Sequence, residues 1–544
     1  MLGLMQNRPL LISGLIDYAE RFHTNVAIVS RGVEGELHRS SWGEVAGRAR
    51  RLARALQRLG IGPGERVATL AWNSWRHLEL YYGTTGLGAV LHTVNPRLFP
   101  DQLQYIIEHA EDGLVFFDVA FAPLLAGLAP RLAQVRGYVA LCGRAALPDV
   151  DLPNLLCYED LLEAERDDFA WPVFDENCAS SLCYTSGTTG HPKGVLYSHR
   201  SQVLHSFCAQ AADGVAVSAR DAILLIVPMF HANAWGLPFA AAGVGAKLLL
   251  PGPNTDGESL LRLMLDEGAT LAAGIPTVWL NLVAWLEQHP DRLDRSALRL
   301  NRILCGGSAP PRALLENLQG RLGATMIQAW GMTETSPIAT SGTLLAEHAA
   351  LDAAGRIEVQ LRQGRAIFGC ELRLVDDAGT ELPRDASTVG ELQVRGPWVL
   401  SGYFKGAGGQ VVDAQGWFRT GDVASCDARG WVRITDRAKD IIKSGGEWIS
   451  SIEIENLAVS HPAVHEAAVI AARHPTWQER PLLLVQLKEE AEATRQDILE
   501  FLAPRMAKWW LPDDVVFVEA LPHTATGKLL KTKLRREYGD WLMK

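Results

Sequence analysis

An α/β fold with a separate small C-terminal unit is predicted by three features of the chain. From about residue 40 to 330, short apolar runs alternate with helix-length segments, the rhythm of parallel strands connected by covering helices. After about residue 365 close-set strands with Asp/Gly turns take over, and the last hundred residues mix helices and strands behind the charged segment Asp436-Arg-Ala-Lys-Asp440. These patterns predict a large N-terminal domain, 1–436, of doubly wound α/β sheets with a β-barrel-like subdomain at about 365–436. A small mobile α+β domain, 437–544, follows on a hinge.

Each element has its own warrant. Leu52, Ala55, Leu56 and Leu59 recur at helical spacing, and Val67 to Ala71 is a strand-like run. Strands are further expected at Leu114 to Asp118, Tyr138 to Cys142, Ala179 to Cys183, Ala222 to Val227 and Lys247 to Leu250. Thr270 to Ala273, Arg302 to Cys305 and Thr325 to Ala329 continue the series. Glu371 to Val375, Glu391 to Arg395 and Trp431 to Thr435 give the antiparallel part, and Ile452 to Val459 and Arg495 to Met506 the C-terminal helices, beside strands at Ala467 to Ile470 and Leu482 to Leu487. Arg48, Arg50, Arg51, Arg54 and Arg58 flank the apolar stripe of one helix and read as a solvated face with no function.

Composition limits the functions open to the chain. Its 544 residues are enough for about three to four compact units, which excludes a single small binding module. With 52 Lys+Arg against 62 Asp+Glu, the net charge is −10, so no chain-wide basic field exists to hold nucleic acid. Hydrophobic residues at 48% against 21% charged allow a large core. The eight cysteines show neither a CxxC pair nor zinc spacing, which reads as buried thiols in a reducing, cytoplasmic setting. The apolar stretch Pro9 to Ile16 stops at Asp17 and lacks a cleavage site, so neither a signal peptide nor stable membrane insertion is expected.

The most informative segment is Tyr184-Thr-Ser-Gly-Thr-Thr-Gly-His-Pro-Lys-Gly194, which follows a strand. Its glycines let backbone amides turn toward an anion, its hydroxyls donate hydrogen bonds, and Lys193 adds charge, a combination suited to polyphosphate. It is not a Walker A loop, because the GK[ST] ending is absent.

This run resembles the signature of the adenylate-forming (AMP-binding) superfamily, which includes acyl-CoA synthetases, peptide-synthetase adenylation domains and firefly luciferases. The resemblance extends in order through Pro228-Met-Phe-His231, Gly306-Gly-Ser-Ala-Pro310, Trp330-Gly-Met-Thr-Glu334, Trp417-Phe-Arg-Thr-Gly-Asp422, Asp436-Arg437 through Gly446, and Thr524-Ala-Thr-Gly-Lys528. Within the superfamily the chain is most similar to bacterial medium-chain fatty-acid CoA ligases and their relatives that take 3-methylmercaptopropionate.

The resemblance implies a role for each matched position. ATP would be held by Thr185, Ser186, Gly187, Thr188, Thr189, Gly190 and Lys193 at its phosphates and by Gly307, Ser308, Gln328, Ala329, Trp330 and Gly331 around its purine. Many relatives have Tyr at 330; Trp keeps the stacking surface and lacks the hydroxyl. Thr333 would touch phosphate, Glu334 with Thr185 would hold Mg²⁺, Asp422 would accept from the ribose hydroxyls, and Arg437 would reach the same sugar or phosphate. His231 and Trp235 would line the acyl pocket, with His231 also near the reacting carboxylate and Trp235 as gate. Lys439 would be the hinge, Lys443 and Trp448 nucleotide contacts, and Lys528 the cation at the α-phosphate. Lys531 and Lys533 are expected to be solvated.

The implied activity is ATP- and Mg²⁺-dependent ligation of a carboxylic acid to CoA through an acyl-adenylate, with medium-chain fatty acids first and the short thioether acid as alternative. Transfer of the acyl group to a carrier protein, a luciferase-like oxygenase and a non-catalytic nucleotide-binding scaffold are the rivals. A homodimer is expected from the fatty-acyl branch.

Overall fold

The computed structural model describes residues 1, 3–33, 35–185, 191–444, 447–523 and 529–543, with Glu447 and Trp448 described by their backbone alone. Two large sheets form the N-terminal domain. Among the described residues, one has seven strands in the order Leu155–Cys157, Gly137–Ala140, Asp112–Phe117, Arg66–Leu70, Val90–Thr93, Ala179–Tyr184 and Gly194–Ser198. All neighbours are parallel except the last pair, a hairpin. The other has nine strands, six of them a parallel set from Ala27–Arg31 through Lys247–Leu250, Ala222–Leu225, Leu271–Gly274 and Arg302–Cys305 to Thr325–Gly331. Antiparallel strands close its edges, Leu37–Ser41 on one side and Ile338–Ser341 with Arg365–Ala366 on the other.

The expected strands are present with ends moved by one to a few residues. Two that the sequence reading passed over are instructive. Val90–Thr93 is wholly buried but carries His92, so it makes no apolar run. Ala27–Arg31 lies before the alternating region and joins the sheet beside Lys247–Leu250, a pairing that no local pattern announces.

Some helices bury one stripe, whereas Trp75–Gly86 is buried almost throughout. Trp42–Arg58 begins at Ser41, whose hydroxyl accepts from the Glu44 amide, and turns Val45, Ala49, Leu52 and Leu56 into the core. Its arginines are not simply solvated, as the sequence suggested. Arg48 pairs with the buried Glu79 (2.6 Å) and with Glu159 (2.9 Å), while Arg50, Arg51, Arg54 and Arg58 meet carboxylates at positions 17, 20, 165, 167 and 168. The exposed pairs contribute about 0–1 kcal/mol each; the Arg48–Glu79 pair fixes the helix to its neighbour.

Residues 371–437 form a four-stranded antiparallel sheet, Glu371–Val375, Val389–Arg395, Phe418–Cys426 and Val432–Arg437, paired in chain order without closing on itself. Register shifts at Glu391/Gln393 and Val423/Ala424 bend it. The C-terminal unit has its own five-stranded sheet, in which Gln478–Leu487 pairs with Val464–His474 and with Asp514–Phe517. Ile454, Val469, Leu483, Ile498 and Val515 make its separate core. Lys531 corrects the expectation of a solvated residue: it is 8% exposed, and its ammonium meets Glu455 and the Ser451 hydroxyl, each at 2.6 Å. Lys533 is exposed as expected. All eight cysteines are free and all but Cys178 are buried.

Candidate active site

The carboxyl ends of the two parallel sets face one crevice, the position where open α/β sheets bind ligands. Asn73, just past Arg66–Leu70, ties the sheets together there. Its amide donates to the carbonyls of Leu225 (2.7 Å) and Val227 (2.8 Å) and accepts from the Met229 amide (2.7 Å). A pocket of about 930 Å³, counting its open mouth, lies between these strand ends. Trp72, Phe230, Trp235, Ile275 and Val278 give it an apolar wall, and His231, Gly307 and Ser308 form a polar end. The sequence-predicted acid residues and two of the purine residues therefore share one cavity. Arg97 stands on the rim over the Trp72 ring at 5.5 Å.

The glycines here are matters of clearance. A Cβ at Gly306 would come within 3.0 Å of the Ala329 carbonyl and 3.2 Å of the Trp235 ring. Gly307 has φ +87°, and a Cβ at Gly331 would overlap the Pro337 carbonyl. Backbone thus closes tightly around the point where the acid pocket meets the Thr325–Gly331 strand.

Trp330, Asp422 and Arg437 come together from three strands. The Trp330 indole N–H donates to Asp422 Oδ2 (2.8 Å), and Arg437 Nε pairs with Asp422 Oδ1 (2.7 Å). Asp422 is 2% exposed, whereas Arg437 is half-buried, so a buried carboxylate is held between an indole and a partly accessible guanidinium. The indole supplies a hydrogen bond where the hydroxyl of a Tyr is missing. Gln328 is turned away: with its amide nitrogen toward the carbonyls of Gln360, Leu361 and Arg362 and its oxygen on Gln363, its side chain is spent inside the protein.

A second polar group gathers at the phosphate loop. The Thr185 amide donates to the Lys193 carbonyl (2.9 Å) and the Lys193 amide to the Thr185 hydroxyl (3.3 Å), closing the hairpin on either side of 186–190. Lys193 Nζ stands 4.9 Å over the Tyr403 ring, and the Tyr403 hydroxyl donates to Glu334 Oε1 (2.6 Å). Burial and the Glu334 charge push the Tyr403 phenol up, so it stays a donor. Glu334 is 6% exposed; beside it, Thr333 is pinned by the Tyr197 hydroxyl on its carbonyl (2.7 Å). Among the described residues, no group of three His, Cys, Asp or Glu side chains could hold a metal unaided. One carboxylate and one hydroxyl, Glu334 and Thr185, suit Mg²⁺, which takes most of its ligands from phosphate and water oxygens.

Trp235 ends an unusual turn. Ala232, Asn233, Ala234 and Trp235 all have positive φ (43°, 52°, 49° and 59°), followed by Gly236 at 70°. Left-handed backbone costs roughly 1–2 kcal/mol per non-glycine residue, and such strain collects at functional sites.

Other sequence-predicted residues lie apart. Lys439 is exposed, its ammonium pushed down by burial and by Arg437 and Arg535, against Asp440. Lys443 is exposed, and its amide donates to Glu479 Oε2 (2.8 Å) within the C-terminal unit. Ser186, Gly187, Thr188, Thr189, Gly190 and Lys528 fall outside the described residues, as does the side chain of Trp448. Sequence reasoning missed Tyr403, which no motif spacing marks, and Asn73, which its place after a parallel strand could have revealed.

Two α/β sheets meeting at an apolar pocket, followed by a separate C-terminal sheet, are the architecture of adenylate-forming enzymes. The chain belongs to the AMP-binding enzyme family: the model of that family matches residues 16–404, and that of the AMP-binding enzyme C-terminal domain matches 453–528. It is 50% identical over 542 residues to 3-methylmercaptopropionyl-CoA ligase of Ruegeria lacuscaerulensis, covering 100% of both chains. It is 47% identical over 544 residues to medium-chain-fatty-acid–CoA ligase of Ectopseudomonas oleovorans, covering 100% of this chain and 99% of that one. Among solved structures it resembles ATP-bound MatB from Rhodopseudomonas palustris, with TM-score 0.82, 26% identity and coverage of 97% and 99%.

Proposed function

We propose that the protein is an AMP-forming acid:CoA ligase acting on medium-chain fatty acids. The observation that carries this reading is an apolar pocket at the strand ends, lined in part by His231, Gly307 and Ser308, on a chain that also assembles two polar clusters, Trp330–Asp422–Arg437 and Thr185–Lys193–Tyr403–Glu334. An acid lying in the pocket presents its carboxylate at His231, Gly307 and Ser308. ATP lies across the strand ends with its purine between Gly307 and Trp330, its ribose on Asp422 and its phosphates at the Thr185 to Lys193 loop.

A carboxylate oxygen attacks the α-phosphorus and pyrophosphate leaves, giving an acyl-adenylate. The CoA thiol then attacks the acyl carbon and AMP leaves, because adenylation has turned a poor leaving oxygen into a phosphate. Glu334 and Thr185 are the residues that would hold Mg²⁺, which offsets phosphate charge when bound. Lys193 and Lys528 place further positive charge at the phosphates, Lys528 for the first step only. Between steps the unit 437–544 rotates about Lys439. The relatives' names support CoA as acceptor over a carrier protein. The 3-methylmercaptopropionate relative at 50% identity keeps the short thioether acid as a second reading. We assign the enzyme to the cytoplasm on its eight free thiols and to a homodimer by likeness to its branch.

The test is pyrophosphate release with MgATP across straight-chain acids from acetate to palmitate and with 3-methylmercaptopropionate, with thioester measured when CoA is added. A rate maximum at medium chain length with thioester formed is expected. A maximum on the thioether acid would favour the second reading, and pyrophosphate without thioester would point to a carrier-protein acceptor.

A further inference from the structure

The left-handed turn 232–236 is tied to a neighbouring strand through the Asn233 side chain, which is not part of the pocket lining, and through Cys183, whose thiol also meets the backbone of Ala232 and Asn233. Asn233 is fully buried; its Nδ2 donates to the Ser181 hydroxyl (2.7 Å) and its Oδ1 accepts from the Cys183 thiol (3.5 Å). Both partners lie on Ala179–Tyr184, the strand that runs into the phosphate loop, and Cys183 is itself held by the Thr93 hydroxyl at 3.1 Å. Asn is among the few non-glycine residues at ease with positive φ, but its neighbours Ala232, Ala234 and Trp235 are not, so the turn needs an external tether. On the pocket side, a Cβ at Gly306 would stand 3.2 Å from the Trp235 ring, leaving the indole little room to shift toward that wall.

We propose that Asn233 is a positioning residue for acyl-chain selection: by tying the turn to the strand Ala179–Tyr184, it fixes where the Trp235 indole stands in the pocket and so how much chain the pocket accepts. The proposal rests on the acid-pocket reading above and adds a determinant that touches neither acid nor nucleotide. Asn233→Ala removes both side-chain bonds and leaves only the contacts of Cys183 with the turn's backbone. Ser181→Ala removes the principal partner and leaves the turn's own sequence intact, so it carries the test if the first variant does not fold. Asn233→Asp keeps an acceptor that the Ser181 hydroxyl can donate to.

The measurement is kcat/KM for pyrophosphate release with octanoate and with butyrate, together with KM for ATP and Tm. Asn233→Ala and Ser181→Ala are expected to change the octanoate-to-butyrate ratio by roughly tenfold, the discrimination that a small change in an apolar pocket makes. KM for ATP should hold, and Asn233→Asp should lie nearer the parent. A lowered Tm with the ratio unchanged in both alanine variants would make the tether structural only and overturn the proposal. A parent enzyme silent on both acids would overturn the ligase reading and the proposal together.

Discussion

Asp422 is held by two donors of different kinds, and each has its own consequence. The buried Trp330 indole orients the carboxylate at one oxygen, while the half-buried Arg437 pairs with the other. A hydrogen bond to a charged group contributes about 1.5–3 kcal/mol. Trp330→Phe is therefore expected to raise KM for ATP about tenfold or more while the ranking of acids stays as it is, which steady-state kinetics reads directly. Trp235→Ala should do the reverse, shifting chain-length preference with little change in ATP affinity; an unchanged substrate profile would make the indole plain core. His205 offers a pH test. It is buried against Gly236 with Nε2 accepting from the Ile338 amide (3.1 Å), and burial lowers its pKa to about 4. An imidazole whose folded pKa lies below its unfolded value of about 6.5 stabilises the fold above that value and loses this contribution as pH falls toward 4. The stability advantage of the parent over His205→Gln should shrink across that window by about 3 kcal/mol, as followed by urea unfolding at several pH values. The positions of Trp330 and Asp422 were legible from their motifs. Their mutual bond was not, because the two residues lie 92 positions apart and only the fold brings them together.

At the scale of elements, the C-terminal helix Lys531–Tyr538 shows where reading residue types misleads. A lysine near a chain end is ordinarily solvated, yet Lys531 is buried between Glu455, Ser451 and the charge of Asp436. Ser451 in turn donates to Asp436 through its amide (2.7 Å) and hydroxyl (2.6 Å), so the helix Ser451–Val459 is docked on the end of Val432–Arg437. Burial raises Glu455 to about 7 even beside the ammonium. Lys531→Met would leave Asp436 and Glu455 without their buried counter-charge, at a cost of about 3–5 kcal/mol. Hydrogen exchange should then rise in 451–459 and 531–538 and stay low in the nine-stranded sheet. Equal protection in parent and variant would contradict the clamp. The parallel strands themselves were legible, since buried strands make continuous apolar runs. Val90–Thr93 and Ala27–Arg31 were not, one interrupted by a buried His and the other defined by a partner more than 200 residues away.

For the whole molecule, segments leaving the carboxyl ends of both parallel sets line one pocket, and the four-stranded sheet adds the Asp422–Arg437 pair beside Trp330. On the proposed two-step chemistry, Lys528 serves the first step only. Lys528→Ala is expected to lower adenylate formation by about a hundredfold or more and to leave thioester formation from supplied acyl-adenylate largely intact; equal loss in both would remove the division of labour. The order of motifs pointed to the family because its signatures are short contiguous segments. The pocket's lining was not legible, since residues such as Trp72, Ile275 and Val278 are brought together only by the packed sheets.

The most direct measurement is a single-turnover reaction of the enzyme with MgATP and octanoate in the absence of CoA, followed by mass spectrometry of what remains bound. Enzyme-bound octanoyl-AMP with an equivalent of pyrophosphate in solution is the expected result, and added CoA should then convert it to octanoyl-CoA and AMP. ADP with octanoyl phosphate, or thioester formed without any adenylate, would contradict acid activation by AMP transfer at this crevice.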